Sequence, residues 1–145
     1  MTPVLTLIEE SVRALITERR GYARHKAAFE VSLPVGVSVP NECLDPEADS
    51  YPDPIMGHTH DLSQTGLSLV LPSLYLGEER IEALNFPLRI VLSLPDGIAV
   101  VQALTVRVED LDKAQGNYRY FVGARIKKMN ERDEKRYRAL LSSLA

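Results

Sequence analysis

Apolar residues near the N-terminus recur at helical spacing. The positions that form this stripe are Leu5, Ile8, Val12, Leu15 and Ile16. Thr2 and Pro3 suit the N-cap and the first helical position, so the pattern predicts an amphipathic helix over residues 3–18. This helix could pack on its own domain, mediate dimerisation, or be the end of a connection to another domain.

From about residue 26 the apolar period shortens to two, which is typical of half-buried strands. In the first strand Phe29, Val31 and Leu33 alternate with polar residues, and the pattern continues to residue 39 with a turn or bulge near Pro34 and Gly36. The sequence predicts a long acidic loop over residues 40–57. It predicts a second loop, with room for one helical turn, over residues 72–85. Further strands are predicted at 58–62, 66–71, 86–94, 98–111 and 118–129.

The C-terminal segment returns to helical spacing. Asn130 suits an N-cap, and the acidic residues that follow it complement the helix dipole. The apolar stripe of this helix is formed by Tyr137, Leu140, Leu141 and Leu144. About six short strands with regular turn signals between two helices predict one mainly β domain, either a sandwich or a small barrel.

Composition narrows the class of protein. The hydrophobic fraction of 45% and charged fraction of 26% are those of an ordinary globular domain. The net charge of −3 argues against a partner that is a nucleic acid polymer. No apolar run approaches the roughly 20 residues of a membrane span, and we expect no signal peptide. The single cysteine, Cys43, fits a cytoplasmic protein and has no predicted catalytic role.

Arginines cluster just after the first predicted helix, at Arg19, Arg20 and Arg24. The planar guanidinium pairs with phosphates or with two acceptors on a purine edge, and it stacks on bases. Such a cluster could therefore hold a small phosphorylated ligand on an acidic protein. Taken alone, the spacing is also common on solvated surfaces.

A second group of polar residues, Asp61, Ser63 and Gly66, lies between two predicted strands. A carboxylate can accept from guanine N1–H and N2–H together, a hydroxyl can donate and accept, and a glycine permits close backbone approach. The same residues also favour an Asx-type turn, so the segment alone leaves both interpretations open. His58 and His60 precede it, but too few further ligands are present to predict a metal site.

Taken together, the two segments resemble the PilZ domain family, whose signature is R-x-x-x-R followed by [D/N]-x-S-x-x-G. The segment FVGARIKKMNERDEKRYRALL is similar to the last strand and closing helix of that family. The resemblance covers residues 19–144 and implies a six-stranded antiparallel β-barrel with an N-terminal and a C-terminal helix. The expected organisation is a helix over 1–18 and a PilZ domain over 19–145, in which the loop 40–57 is an insertion.

The resemblance also implies a bacterial receptor for the second messenger cyclic di-GMP, with no enzymatic activity and no cofactor. The implied ligand-binding residues are Arg19, Arg20, Arg24, Asp61, Ser63 and Gly66. Arg19, just before the motif, favours binding of an intercalated ligand pair. Ligand-induced ordering of the N-terminal segment is the expected signal to an unidentified protein partner. The alternative is a PilZ-fold protein-interaction module that does not bind nucleotide.

Overall fold

The computed structural model describes residues 28–40, 43, 52–111 and 119–145. The predicted helix over 3–18 and the arginines Arg19, Arg20 and Arg24 lie outside these residues, so they stay predictions. Most of the predicted loop 40–57 also lies outside them.

Nine strands and one helix make up the described chain. The strands are β1 (Phe29–Glu30), β2 (Pro34–Ser38), β3 (Ile55–Leu62), β4 (Gly66–Leu71), β5 (Tyr75–Leu76), β6 (Glu79–Arg80), β7 (Pro87–Leu94), β8 (Gly97–Leu111) and β9 (Arg119–Met129). The helix is α1 (Glu131–Leu144).

Six of the strands close into an antiparallel barrel. The strand order is β3-β2-β7-β8-β9-β4, and β4 pairs with β3 to complete the circle. Inward positions alternate along each strand; in β7, for example, Leu88, Ile90 and Leu92 are fully buried. The predicted mainly β fold with a six-stranded barrel and a C-terminal helix is therefore confirmed for the described residues, and the period-two pattern explains it.

The first barrel strand is interrupted between β1 and β2. The Thr59 hydroxyl fills the interruption by donating to the Val31 carbonyl and accepting from the Leu33 N–H (2.8 Å). Beyond it the register with β3 shifts by one residue, from Glu30 opposite Asp61 to Pro34 opposite His58. The predicted bulge is thus present, slightly earlier in the chain than Pro34 and Gly36.

Helix α1 packs against the barrel next to the start of β8. Asn130 caps the helix by accepting from the Asp133 N–H (2.8 Å), as predicted. The Asp133 carboxylate accepts from the Val100 N–H (3.0 Å), and Arg136 donates to the Ile98 carbonyl (2.9 Å). These two side chains satisfy backbone groups of β8 just before its pairing with β9 begins at Val101.

Two local predictions were wrong. Strand β3 begins at Ile55, three residues before the predicted start. Gly57 lies within this strand, where a Cβ would be 2.4 Å from the Val70 carbonyl oxygen, so the glycine marks close backbone packing and not the end of a loop. Residues 72–85 contain the β5–β6 hairpin rather than a helical turn. Gly77, with φ +68°, is the first residue of its two-residue turn.

Candidate ligand-binding site at the β3–β4 turn

The Asp-x-Ser-x-x-Gly segment forms the connection between two barrel strands. Asp61 lies near the end of β3, Gly66 begins β4, and the last residue pair before the turn is Leu62 with Leu67. We call residues 61–66 the motif turn. Leu62 and Leu67 are buried in the core, which fixes the register and leaves the polar residues at the barrel surface.

Ser63 holds the motif turn together. Its backbone N–H donates to the Gly66 carbonyl (2.8 Å), as in an ordinary two-residue hairpin. The return bond is different, because the Gly66 N–H donates to the Ser63 hydroxyl (3.1 Å), and that hydroxyl donates to the Gly66 carbonyl (3.1 Å). The Ser63 carbonyl is thereby released for another donor. The turn is thus stabilised by its serine, and the Asx-type turn considered from the sequence is not the one formed.

The released carbonyl is used by helix α1. The hydroxyl of Tyr137, a buried residue, donates to the Ser63 carbonyl at 2.7 Å, and the Gly66 carbonyl lies 3.4 Å away. Burial, together with the negative charge of Asp61, raises the pKa of Tyr137 well above its usual value near 10. Tyr137 is therefore a neutral hydrogen-bond donor at any physiological pH, and it joins the motif turn to the helix.

Gly66 is required by close backbone packing. A Cβ built at this position would lie 2.8 Å from the carbonyl oxygen of Ala124 on β9. The Ile126 N–H also donates to the Thr65 carbonyl (2.8 Å), which draws the turn onto β9. Any larger residue at position 66 would push β4 away from β9.

Asp61 is the motif residue that keeps hydrogen-bonding capacity. It is half-buried on the outer face of the barrel, and its Oδ1 atom accepts from the Ser68 hydroxyl at 2.7 Å. Among the described residues, Oδ2 has no hydrogen-bond partner. Since each carboxylate oxygen accepts two hydrogen bonds, Asp61 can still accept from a pair of ligand N–H groups while Ser68 fixes its orientation.

The structure thus brings together three of the predicted site residues, Asp61, Ser63 and Gly66, and does not describe the three arginines. Sequence patterns missed Ser68 and Tyr137. Ser68 stands at an outward position of β4 directly opposite Asp61, so the strand register could have revealed it. Tyr137 gave no separate signal, because its ring fits the apolar stripe of α1 and only its hydroxyl reaches the turn.

The histidines beside Asp61 make other contacts. His58 Nδ1 lies 3.1 Å from the Thr59 carbonyl oxygen, and the His60 ring packs edge-on against Phe121. Within the part of the chain that the structure describes, no three histidine, cysteine or acidic residues are grouped to hold a metal ion. Within that same part, no helix is long and apolar enough to cross a membrane.

The described residues thus form a small closed antiparallel β-barrel that displays a polar turn on its surface. The family model of the PilZ domain matches residues 18–143. The chain belongs to the PilZ domain family. No curated protein sequence matches the chain significantly.

Solved structures share this fold. MrkH of K. pneumonia in its apo state has a TM-score of 0.60 at 16% identity, over 83% of this chain and 50% of that chain. The PilZ domain of YcgR from Escherichia coli, solved with c-di-GMP, has a TM-score of 0.56 at 13% identity, over 83% and 90%. The motility inhibitor MotI/DgrA of Bacillus subtilis has a TM-score of 0.54 at 18% identity, over 83% and 48%. The chain thus spans about half the length of MrkH and MotI/DgrA.

Proposed function

We propose that the protein is a receptor for cyclic di-GMP, which binds on the outer face of the barrel at the motif turn. In this proposal Arg20 and Arg24 bind the phosphates and stack on guanine. Asp61 and Ser63 recognise a guanine edge, and Gly66 allows the turn to pack tightly. The protein acts by binding and not by catalysis, and it uses no cofactor or metal.

The geometry of Asp61 carries the proposal. Ser68 holds one carboxylate oxygen from the side of the barrel, and the remaining acceptor sites are available to guanine N1–H and N2–H. The family membership and the complete arginine motif support the same ligand. A solved relative, the PilZ domain of YcgR, holds c-di-GMP.

Isothermal titration calorimetry with cyclic di-GMP tests the proposal. We expect binding by the wild type, and a loss of about tenfold or more in affinity for Asp61→Asn, Arg20→Ala and Arg24→Ala. Each change removes a charge-assisted hydrogen bond, which is worth about 1.5–3 kcal/mol. Asp96→Asn, in the exposed turn between β7 and β8, is a matched control that should bind like the wild type.

Absence of heat at high micromolar ligand would contradict the proposal and favour the alternative, a PilZ-fold interaction module that does not bind nucleotide. Equal weakening by Asp61→Asn and Asp96→Asn would also contradict it. That result would mean that overall charge, and not guanine recognition, governs binding.

The same titration tests the number of ligands. We propose that Arg19 stacks on a second messenger molecule, so that an intercalated pair binds each chain. The expected stoichiometry is two ligands per wild-type chain and one per Arg19→Ala chain. A stoichiometry of one for the wild type would exclude the pair.

The output of binding is proposed to be the ordering of the N-terminal arginine segment around the ligand in the bacterial cytoplasm. This ordering would fix the predicted N-terminal helix relative to the barrel, and a protein partner would then recognise it. Hydrogen–deuterium exchange with and without cyclic di-GMP tests this. We expect slower exchange over 19–26 when ligand is present. Unchanged exchange there, under saturating ligand, would contradict the mechanism.

A further inference from the structure

Strand β8 extends beyond its neighbour on one side. Its pairing with β7 ends at Leu104, and Thr105 makes one more backbone bond to the segment just before β7. On the other side, its pairing with β9 continues to Leu111. Among the described residues, 106–111 therefore have a strand on one side only. We call this stretch the open edge of β8.

The backbone groups of Val108 point to this open edge. The Ile126 N–H of β9 donates to the Thr65 carbonyl beside β4, and alternate residues of a strand bond to the same side, so Val122 also bonds towards β4. Val122 is the residue opposite Val108. Two opposite residues that do not bond to each other point their backbone groups apart, so the Val108 N–H and carbonyl face away from β9. They provide a donor and an acceptor for another strand.

The side chains of the open edge alternate between the two faces of the sheet. Val108 packs against the core from the inner face, while the Arg107 and Glu109 side chains are 58% and 50% exposed on the outer face. Arg107 Nε lies 3.2 Å from Glu109 Oε2, and Arg107 Cζ lies 4.9 Å from the centre of the Phe121 ring. The open edge thus carries a positive and a negative charge on either side of an apolar residue.

This order of charges is complementary to itself. When two copies of one strand pair antiparallel about a twofold axis, the residue on the axis lies opposite its own copy. An axis at Arg107, Glu109 or Asp110 would place like charges opposite one another, which is destabilising. An axis at Val108 instead places Arg107 of each copy opposite Glu109 of the other, and the two Val108 residues can exchange backbone hydrogen bonds. The open edge therefore fits a second copy of this chain in the register centred on Val108.

We propose that the protein forms a dimer through the open edge of β8, in which the two β8–β9 hairpins join into one antiparallel sheet across a twofold axis at Val108. The two Val108 side chains meet on the inner face, and Arg107 and Glu109 of both copies form a square of alternating charges on the outer face. The inference uses only β8 and β9 and does not rest on the proposed function. Since the interface is a short pair of strands, we expect a weak dimer with a Kd in the micromolar range.

Sedimentation velocity over a range of protein concentrations tests the dimer. We expect the wild type to change from monomer to dimer between low and high micromolar concentration. Arg107→Glu and Glu109→Arg should each weaken the dimer about tenfold or more, because each places like charges opposite one another on both sides of the axis. The control Arg89→Glu makes the same change of charge on β7, away from the open edge, and should alter the Kd less than about twofold.

Complementation separates strand pairing from a general effect on charge or folding. An equimolar mixture of Arg107→Glu and Glu109→Arg places opposite charges across the axis, so it should form a heterodimer at concentrations where each variant alone is monomeric. The variant that carries both changes should regain the wild-type Kd. Val108→Pro removes the N–H at the axis but no bond to β9, so we expect a monomer with the circular dichroism spectrum of the wild type.

A wild type that stays monomeric at high micromolar concentration would overturn the proposal. A dimer that persists unchanged in Val108→Pro, or an absence of heterodimer in the mixture of the two charge variants, would also overturn it. Equal weakening by Arg107→Glu and Arg89→Glu would replace the assigned register with a general charge effect. Because the heterodimer forms from the charge variants, its test does not depend on the folding of the proline variant.

Discussion

The motif turn and the part of β8 and β9 that holds Arg107, Phe121 and Gly123 are stabilised in different ways. In the motif turn the Ser63 hydroxyl bonds to the Gly66 backbone, and the Tyr137 hydroxyl donates to the Ser63 carbonyl. On β8 and β9, the exposed Arg107 side chain contacts the Phe121 ring and the Glu109 carboxylate.

This difference means that a change in the two regions has different consequences. Of the three motif residues in the turn, Ser63 and Gly66 build it, so their substitution alters the fold before it alters any ligand contact. Asp61 is the exception, because among the described residues its half-buried carboxylate accepts a hydrogen bond from the Ser68 hydroxyl and takes no part in building the turn. The Arg107 side chain is 58% exposed, so we expect its substitution to leave the barrel intact.

The largest expected effect is that of Gly66→Ala. The new Cβ would lie 2.8 Å from the Ala124 carbonyl oxygen, so β4 and β9 must separate locally. We expect the free energy of unfolding to fall by about 2–3 kcal/mol in chemical denaturation. Gly123→Ala on β9, whose Cβ would have no neighbour closer than 3.6 Å, should change it by less than about 0.5 kcal/mol. Similar losses for the two variants would remove the contrast between the regions.

Tyr137→Phe should lower the free energy of unfolding by about 1–2 kcal/mol at pH 7, because the buried Ser63 carbonyl loses its donor. The pKa of Tyr137 is raised in the folded state, so the folded protein holds this proton more tightly than the unfolded chain. Its contribution is complete below pH 10 and is lost as the pH rises above that value. Denaturation at several pH values should therefore show the gap between wild type and variant narrowing above pH 10. A gap that widens would contradict the assigned hydrogen bond.

Ser63→Ala should cost about 1 kcal/mol of unfolding free energy, since the Gly66 N–H loses its side-chain acceptor. The turn can partly recover by returning this N–H to the Ser63 carbonyl, at the expense of the bond from Tyr137. Amide hydrogen exchange should become faster at Gly66, while Gly57 on β3 serves as an internal reference. Unchanged exchange at Gly66 would mean that the hydroxyl does not hold the turn.

The smallest effect on stability is expected for Arg107→Ala. An exposed cation–π contact and a surface ion pair together contribute about 1 kcal/mol or less. Denaturation of this variant should therefore give an unfolding free energy within about 1 kcal/mol of the wild type. A larger loss would show that the contact between Arg107 and Phe121 supports the barrel.

The barrel could be predicted from the sequence because its strands bury alternate residues. Leu88, Ile90 and Leu92 of β7 show this period without interruption. The β5–β6 hairpin could not be predicted in this way, since each strand has two residues and shows no period. The start of β3 was obscured by Pro52 and Pro54 just before it and by Gly57. Glycine is typical of loops, but here it allows a close backbone contact with Val70.

The candidate site was only partly predictable. The motif identified Asp61, Ser63 and Gly66 by residue type and spacing, and the family match over residues 18–143 supports it. Side-chain contacts that depend on strand register could not be predicted from the sequence. The contact between Ser68 and Asp61, and the one between Tyr137 and Ser63, join residues whose neighbourhood is set by barrel closure and helix docking.

The bond between Tyr137 and the Ser63 carbonyl gives the molecule an internal spectroscopic reporter. The chain has 6 tyrosines, so labelling with a fluorinated tyrosine would give a short ¹⁹F spectrum in which Tyr137→Phe assigns one resonance. The Tyr137 ring lies in the interior, yet its hydroxyl contacts the turn at which the ligand is proposed to bind. A shift of this resonance on addition of ligand would therefore report binding at the motif turn through a buried probe.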